Sequence, residues 1–118
     1  MGTPGISLQA IQPFVLNGYA VIRVNQTLER GMDLSPLKAY IEQALAQGYN
    51  RIALSLDENS YLYSETLATL VTYYKTIESQ GGSLWLVQSN QKVVFIMETL
   101  GLTDIIRIVA TEDALPRV

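Results

Sequence analysis

Between Arg51 and Asp57 the large apolar residues Ile52, Leu54 and Leu56 alternate with the small residues Ala53 and Ser55. That pattern suits a central strand packed closely on both faces, as in a parallel sheet whose crossovers are helices. Helical patterns flank it on either side. Before it, Ser35-Pro36 reads as a helix start, with Ser as cap and Pro at the first helical position; Leu34, Leu37, Ile41 and Leu45 recur at helical spacing, Lys38 and Glu42 pair at i,i+4, and Gly48 supplies the stop. After it, a second helix starts near Ser64, buries Leu67, Leu70, Val71, Tyr74 and Ile77, and ends at Gly81-Gly82. One strand held between two such helices commits the chain to an α/β sheet.

The remaining segments extend that unit. Ile6 to Ile11 alternates as a half-buried strand that Pro13 ends, and Asn17-Gly18 is a turn leading into a strand from Tyr19 to Val24, antiparallel to the first through a hairpin of several residues. Ser83 to Val87 is a further strand, with Trp85 expected in the core. Asn90 caps a third helix carrying Val93, Val94, Met97 and Leu100 on its core face and ending at Gly101. A last strand runs from Ile105 to Val109, and Thr111 caps a short final helix with Glu112 and Asp113 in its first turn. The order is ββαβαβαβα: about five strands in a mixed, mostly parallel sheet with about four helices. The 118 residues fit a single domain, 1–118.

Composition removes whole classes of chemistry. The chain has no Cys and no His, so it lacks disulfides, thiolate metal sites, cysteine nucleophiles, the usual Ser-His-Asp triad and the commonest zinc ligand. A formal charge of −3 and the absence of any run of Lys and Arg argue against nucleic acid as a partner. No apolar run approaches membrane-spanning length, and Met1-Gly2-Thr3-Pro4-Gly5 has neither the basic nor the apolar region of a secretory signal, which makes the cytoplasm the expected location. Gly2 does not begin a myristoylation motif, because position 6 is Ile where that motif requires Ser or Thr. No Gly-rich phosphate cradle, metal-ligand spacing or nucleophile elbow is present. The expectation is a non-enzyme without cofactor or metal.

The informative junction is Asp57 to Leu67, which joins the central strand to the second helix. Ligands and partners of such sheets gather beyond the carboxyl ends of the strands. Ser64 stands at the helix mouth, where free backbone N–H groups and the positive end of the dipole would register an added phosphate. The plainer reading makes Ser64 a helix N-cap alone. Tyr61, Leu62 and Tyr63 form an aromatic and apolar patch, and since three consecutive side chains cannot all point inward, at least one Tyr is expected at the surface. Asp57 and Glu58 have the look of an acid–base or magnesium pair, as in two-component receiver domains. A receiver also needs acidic residues after its first strand and a Lys after its last, where this chain has Ile11-Gln12 and Val109-Ala110-Thr111, so Asp57 reads as a turn or cap residue.

The element order, with a serine-bearing loop between the third strand and its helix, resembles the STAS domain, the family of bacterial anti-sigma factor antagonists and sulphate-transporter tails. Four stretches carry the resemblance: Ala20 to Leu28, Arg51 to Asp57, Tyr61 to Leu67, and Leu100-Gly101-Leu102 with Thr111 to Leu115. In that family the third stretch usually reads Asp-Ser-Ser/Thr-Gly-Leu, and the serine after the Asp is phosphorylated by an anti-sigma kinase. The resemblance places Ser64 at that serine and keeps Leu67, with Tyr63 for the Asp, Glu65 for the second hydroxyl residue, Thr66 for the Gly, and Gln26 for the Gly usual in the second strand's turn. Glu65 sets a fixed negative charge beside any phosphate on Ser64, opposing its stabilisation there or partly substituting for it.

The resemblance implies a regulatory module that docks an anti-sigma factor of serine-kinase fold, or another regulatory protein, through Asn59, Tyr61, Tyr63, Ser64, Glu65 and Thr66 together with neighbouring first-helix residues, with Ser64 as the phosphorylation candidate. The alternative it leaves open is a non-phosphorylated STAS scaffold associated with a transporter or sensor complex.

Overall fold

A computed structural model describes residues 6–117. The reading of Met1 to Gly5 falls outside the described residues. Five strands form one sheet in the order β1-β2-β3-β4-β5: β1 (Ile11–Leu16), β2 (Tyr19–Val24), β3 (Arg51–Ser55), β4 (Ser83–Val87) and β5 (Arg107–Val109). The β1–β2 pair is antiparallel and the other three pairs are parallel. Three helices, α1 (Pro36–Ala46), α2 (Ser64–Ser79) and α3 (Gln91–Thr99), make the connections between the parallel strands up to β5. The expected α/β order holds, except that the fourth helix is a single 3-10 turn, Glu112–Ala114, in which the Thr111 side chain makes no capping bond.

All three helices pack on one face of the sheet. Leu37 and Ile41 of α1, Leu70, Tyr73 and Ile77 of α2, and Val93 and Met97 of α3 share one core with Ile22, Ile52, Leu54, Leu84 and Leu86. β3 is buried on both faces, because Ala53 on the other side joins a smaller cluster with Tyr19, Val21, Val87 and Leu115. Leu115, brought in by the segment after β5, is buried in that second cluster, with Phe14, Leu16 and Val109 packed around it. Trp85 lies at the border of this cluster and is only half-buried, rather than in the main core.

Several local expectations shift for identifiable reasons. The first strand is Ile11–Leu16, not Ile6–Ile11: Leu8–Ala10 make a 3-10 turn in which the Ser7 hydroxyl accepts from the Gln9 N–H, and Leu8 is exposed. Pro13 therefore lies within a strand, opposite Ile22, which an edge position tolerates because the missing donor can face the unpaired side. The hairpin loop shrinks to the two residues Asn17 and Gly18, both at positive φ (54° and 88°), as a turn matched to the strand twist requires.

At α1, Pro36 occupies the first turn as expected, but Ser35 makes no side-chain cap. Asp33 instead accepts from both the N–H and the hydroxyl of Ser35, which holds its carboxyl below its ordinary pKa. On α2 the buried tyrosine is Tyr73 rather than Tyr74, because the stripe runs Leu67, Leu70, Tyr73, Ile77, and Val71 is only half-buried. The Tyr73 hydroxyl donates to the Leu34 carbonyl at 2.7 Å, tying α2 to the start of α1, and burial pushes its phenol up to about 12. Leu45 is half-buried. Leu100 is exposed, as it lies one residue past α3. Residues Leu102–Asp104 turn as a 3-10 helix, so the last strand begins at Arg107 and not at Ile105.

Candidate functional site

The loop from Leu56 to Tyr63 carries the chain from the carboxyl end of β3 to α2, and hydrogen bonds to two neighbouring loops fix its shape. Asp57 behaves as a turn residue: its Oδ1 accepts from the Asn59 N–H at 2.7 Å and from the Thr27 hydroxyl at 3.2 Å. Its carbonyl accepts from the Ser60 N–H and from Gln88 Nε2. Ser60 is fully buried, and its Oγ accepts the Leu28 N–H at 2.7 Å while its carbonyl accepts from Asn90 Nδ2 at 3.2 Å. Gln88, also buried, closes the lattice by accepting the Asn90 N–H at its Oε1. The loops after β2, β3 and β4 are thereby locked together beneath the candidate surface. Among the described residues no group of three or more acidic side chains is placed to hold a metal ion.

On this platform the Tyr61-Leu62-Tyr63 run alternates. Leu62 is buried, while Tyr61 and Tyr63 are half-buried and meet edge to face, with ring centroids 4.9 Å apart at 65°. The Arg30 guanidinium, from the loop after β2, lies 5.3 Å from the Tyr63 ring centroid. Arg30, Gly31, Tyr63, Ser64 and Glu65 line a cleft of about 330 Å³.

Ser64 is exposed and is the first residue of α2, not its cap. Tyr63 holds the cap position and its side chain makes no capping bond, which leaves the N–H groups of the first turn without intrahelical or capping partners. Glu65 is exposed in the same turn, and Asn59 is exposed in the loop. Thr66 differs from expectation: it is 5% exposed, so its side chain faces the core and not the surface formed by the others. The structure thus brings Tyr61, Tyr63, Ser64 and Glu65 together, with Asn59 on the same loop.

Sequence reasoning passed over Arg30, Ser60 and Gln88. Arg30 stands 34 positions from Ser64, and only the pairing of β2 beside β3 brings their loops together. Ser60, midway along the β3–α2 loop, and Gln88, just past β4, read as ordinary loop residues until their burial is seen.

Comparison with known proteins bears on the family and the fold. The STAS domain family model matches residues 32–115, from just before α1 through Leu115, and leaves the β1–β2 hairpin outside. A Thermotoga maritima protein named "Putative anti-sigma factor antagonist" is 34% identical over 74 residues, covering 63% of this chain. A homolog from Thermotoga neapolitana is 32% identical over the same length. The chain spans 66% of the length of each of these relatives, just under two thirds. The NMR structure of the protein TM1081 superposes with a TM-score of 0.64 at 25% identity, covering 86% of this chain and 81% of that one. A crystal structure from Thermotoga maritima gives 0.65 at 23% identity, covering 87% and 88%, and shares the fold. With a family match across most of its length and a sheet that superposes on these neighbours, this chain belongs to the STAS domain family.

Proposed function

We propose that the chain is a regulatory protein-binding module that docks an anti-sigma factor of serine-kinase fold through Asn59, Tyr61, Tyr63, Ser64 and Glu65, and that phosphorylation of Ser64 switches this docking. The observation that carries the reading is the exposure of the Ser64 hydroxyl on an uncapped first helical turn, between a tyrosine pair and the Arg30 guanidinium. A phosphate there would gain from the helix dipole, from the free N–H groups and from Arg30, and would oppose an acidic partner surface. The names of the relatives point to the same partner class. Docking would withdraw the anti-sigma factor and free a sigma factor for transcription, in the cytoplasm, without catalysis by this chain.

One observation favours a second reading. Glu65 puts a permanent carboxylate beside Ser64, and Tyr63 replaces the family's Asp, so a non-phosphorylated scaffold of a transporter or sensor complex fits the same surface. Affinity capture from the native extract with wild type, Ser64→Ala and Ser64→Asp separates the two. Capture of an anti-sigma kinase that is lost with Ser64→Asp, with phosphate found on Ser64 by mass spectrometry after incubation with that kinase, supports the switch. Recovery of transporter or sensor subunits, equal for all three proteins, supports the scaffold.

A further inference from the structure

The two edges of the sheet are not alike. At β1 the edge is blunted: Pro13 has no N–H, and the Ile11 N–H donates to the Leu8 carbonyl. At β5 the edge is open. Only β4 lies beside it, and the Val109 carbonyl accepts the Gln88 N–H at 2.9 Å. Because backbone groups alternate sides along a strand, the N–H and C=O of Ile108 then turn outward, away from β4. Among the described residues neither group meets another backbone partner.

A groove of about 640 Å³ runs alongside, between β5 and α3. Val94 of α3 and Ile108 of β5, both half-buried, give it apolar surface, while Glu98 and Asp104 stand exposed in its lining. Among the described residues neither carboxylate forms a salt bridge. Arg107 also lines the groove, but its guanidinium lies 5.6 Å from the ring centroid of Trp85, which packs in the cluster on the other face of the sheet.

An unpaired strand beside a helix-flanked groove is the arrangement that extended peptides use when they add to a sheet. Main-chain bonds to the edge supply affinity, and alternate side chains supply specificity. We propose that this groove takes an extended, basic peptide segment of a partner protein as a further strand on β5, with one peptide residue exchanging both backbone hydrogen bonds with Ile108. An apolar side chain of the segment covers Val94 and Ile108, and a Lys or Arg faces Glu98 and Asp104. The edge has three residues, so the segment is short. A second copy of this chain is the less suited occupant, because two strands of that length bury little area against what a stable dimer needs. The groove shares no lining residue with the Ser64 cleft, so the site goes beyond the docking reading and stands or falls separately from it.

Random ten-residue peptides displayed on phage, selected on the full chain, test the site. The expected sequences share a β-branched residue with a Lys or Arg two positions away and no proline between them. One such peptide, synthesised and titrated into the nitrogen-15-labelled full chain, should shift the Ile108 amide and slow its exchange with solvent, leaving the amides of Tyr61 to Glu65 unchanged. N-methylation of the peptide residue opposite Ile108 should weaken binding by about tenfold or more, whereas N-methylation of the next residue, whose N–H points away from the sheet, should change it little. This comparison leaves the protein itself intact. The double variant Glu98→Lys, Asp104→Lys alters exposed residues and should melt as wild type does, yet bind the peptide about tenfold more weakly. No sequence enriched over background, shifts confined to Tyr61 to Glu65, or equal loss from the two N-methylations would each overturn the site. Sedimentation showing a dimer in which the Ile108 amide is already protected would give the edge to a second copy and overturn it as well. Full affinity in the folded double variant would overturn the placement of the basic side chain.

Discussion

Glu112, in the turn that follows the last strand, grips Arg23 of β2 with both carboxylate oxygens, Oε2 accepting from Nε at 2.8 Å and Oε1 from Nη2. The same Oε2 accepts the hydroxyl of Ser55, a buried residue at the end of β3, at 2.7 Å. Asn17 Nδ2, from the hairpin turn, donates to the Leu115 carbonyl at 3.1 Å, and the Leu115 side chain is buried over Tyr19, Val21 and Ala53. The C-terminal segment is thus a strap across the helix-free face, held by a two-pronged ion pair at one point and by an apolar plug at the next.

The ion pair makes stability depend on pH. The Arg23 guanidinium holds the Glu112 carboxyl below its ordinary value, helped by the Ser55 hydroxyl and opposed by partial burial. A carboxylate whose folded pKa is depressed contributes stability that is complete above its unfolded value of about 4.3 and is lost as pH falls through the lower folded value. Solvent reaches both partners, so the contribution is about 1 kcal/mol and not that of a dry pair. Thermal melts from pH 7 down to pH 3 should show Glu112→Gln less stable than wild type at pH 7, with the gap closing below about pH 4. A constant gap across that range would remove the linkage.

The order of elements along the chain was legible because most strands and helices carry their own period, and a central strand such as β3 must alternate large with small to fit between two layers. The first strand was misplaced because Leu8 and Ala10 mimic alternation while lying in a 3-10 turn, and because Pro13 looks like a terminator until β1 is known to be an edge. At the candidate site, Tyr61, Tyr63, Ser64 and Glu65 are contiguous and were readable. Arg30, Ser60 and the groove beside Ile108 were not, since which strand ends the sheet, and which loops and helices flank it, follows from strand pairing and not from any local period.

Two serines four residues apart should behave oppositely. Ser60→Ala removes the acceptor of the buried Leu28 N–H, leaving that donor unsatisfied at a cost of about 1–3 kcal/mol. Ser64→Ala alters an exposed hydroxyl that caps nothing, so its effect should stay within about 0.5 kcal/mol. Urea unfolding of both variants measures the contrast. A stability loss at Ser64 equal to that at Ser60 would contradict the placement of these side chains.

Gly82 separates α2 from β4 at a point with no room for a side chain. A Cβ built there meets the Asn50 carbonyl oxygen at 2.6 Å and Ile77 Cγ2 at 2.8 Å, although the backbone is not in the left-handed region. Gly82→Ala must push the end of α2 away from the start of β3, and overpacking of this kind costs about 1–3 kcal/mol. Gly81, at φ 79° with open space around it, should also lose stability on substitution, but through backbone strain rather than contact. Asn at position 81, which tolerates positive φ, should recover part of that loss, whereas Asn at position 82 should be worse than Ala. Denaturation midpoints of the four variants test both halves.

If Ser64 carries a phosphate, as proposed, Arg30 is the cation in the cleft lining placed to stabilise it. Unmodified, its guanidinium lies against Tyr63, and the nearest fixed charge in the cleft lining is Glu65. Phosphate added at Ser64 would bring about two negative charges beside Glu65, and a charge-assisted bond to Arg30 is the compensation within the cleft. In Arg30→Ala the modified protein should therefore melt lower than modified wild type, while the unmodified variant, which loses only an exposed cation–π contact, should fall by less than about 1 kcal/mol. Glu65→Gln should act in the opposite direction, raising the stability of the phosphorylated protein and leaving the unmodified one nearly unchanged. The difference between modified and unmodified melting temperatures, compared across wild type, Arg30→Ala and Glu65→Gln, isolates this coupling. Equal differences in all three would mean that the phosphate engages neither residue and that the switch must act at the partner's surface alone.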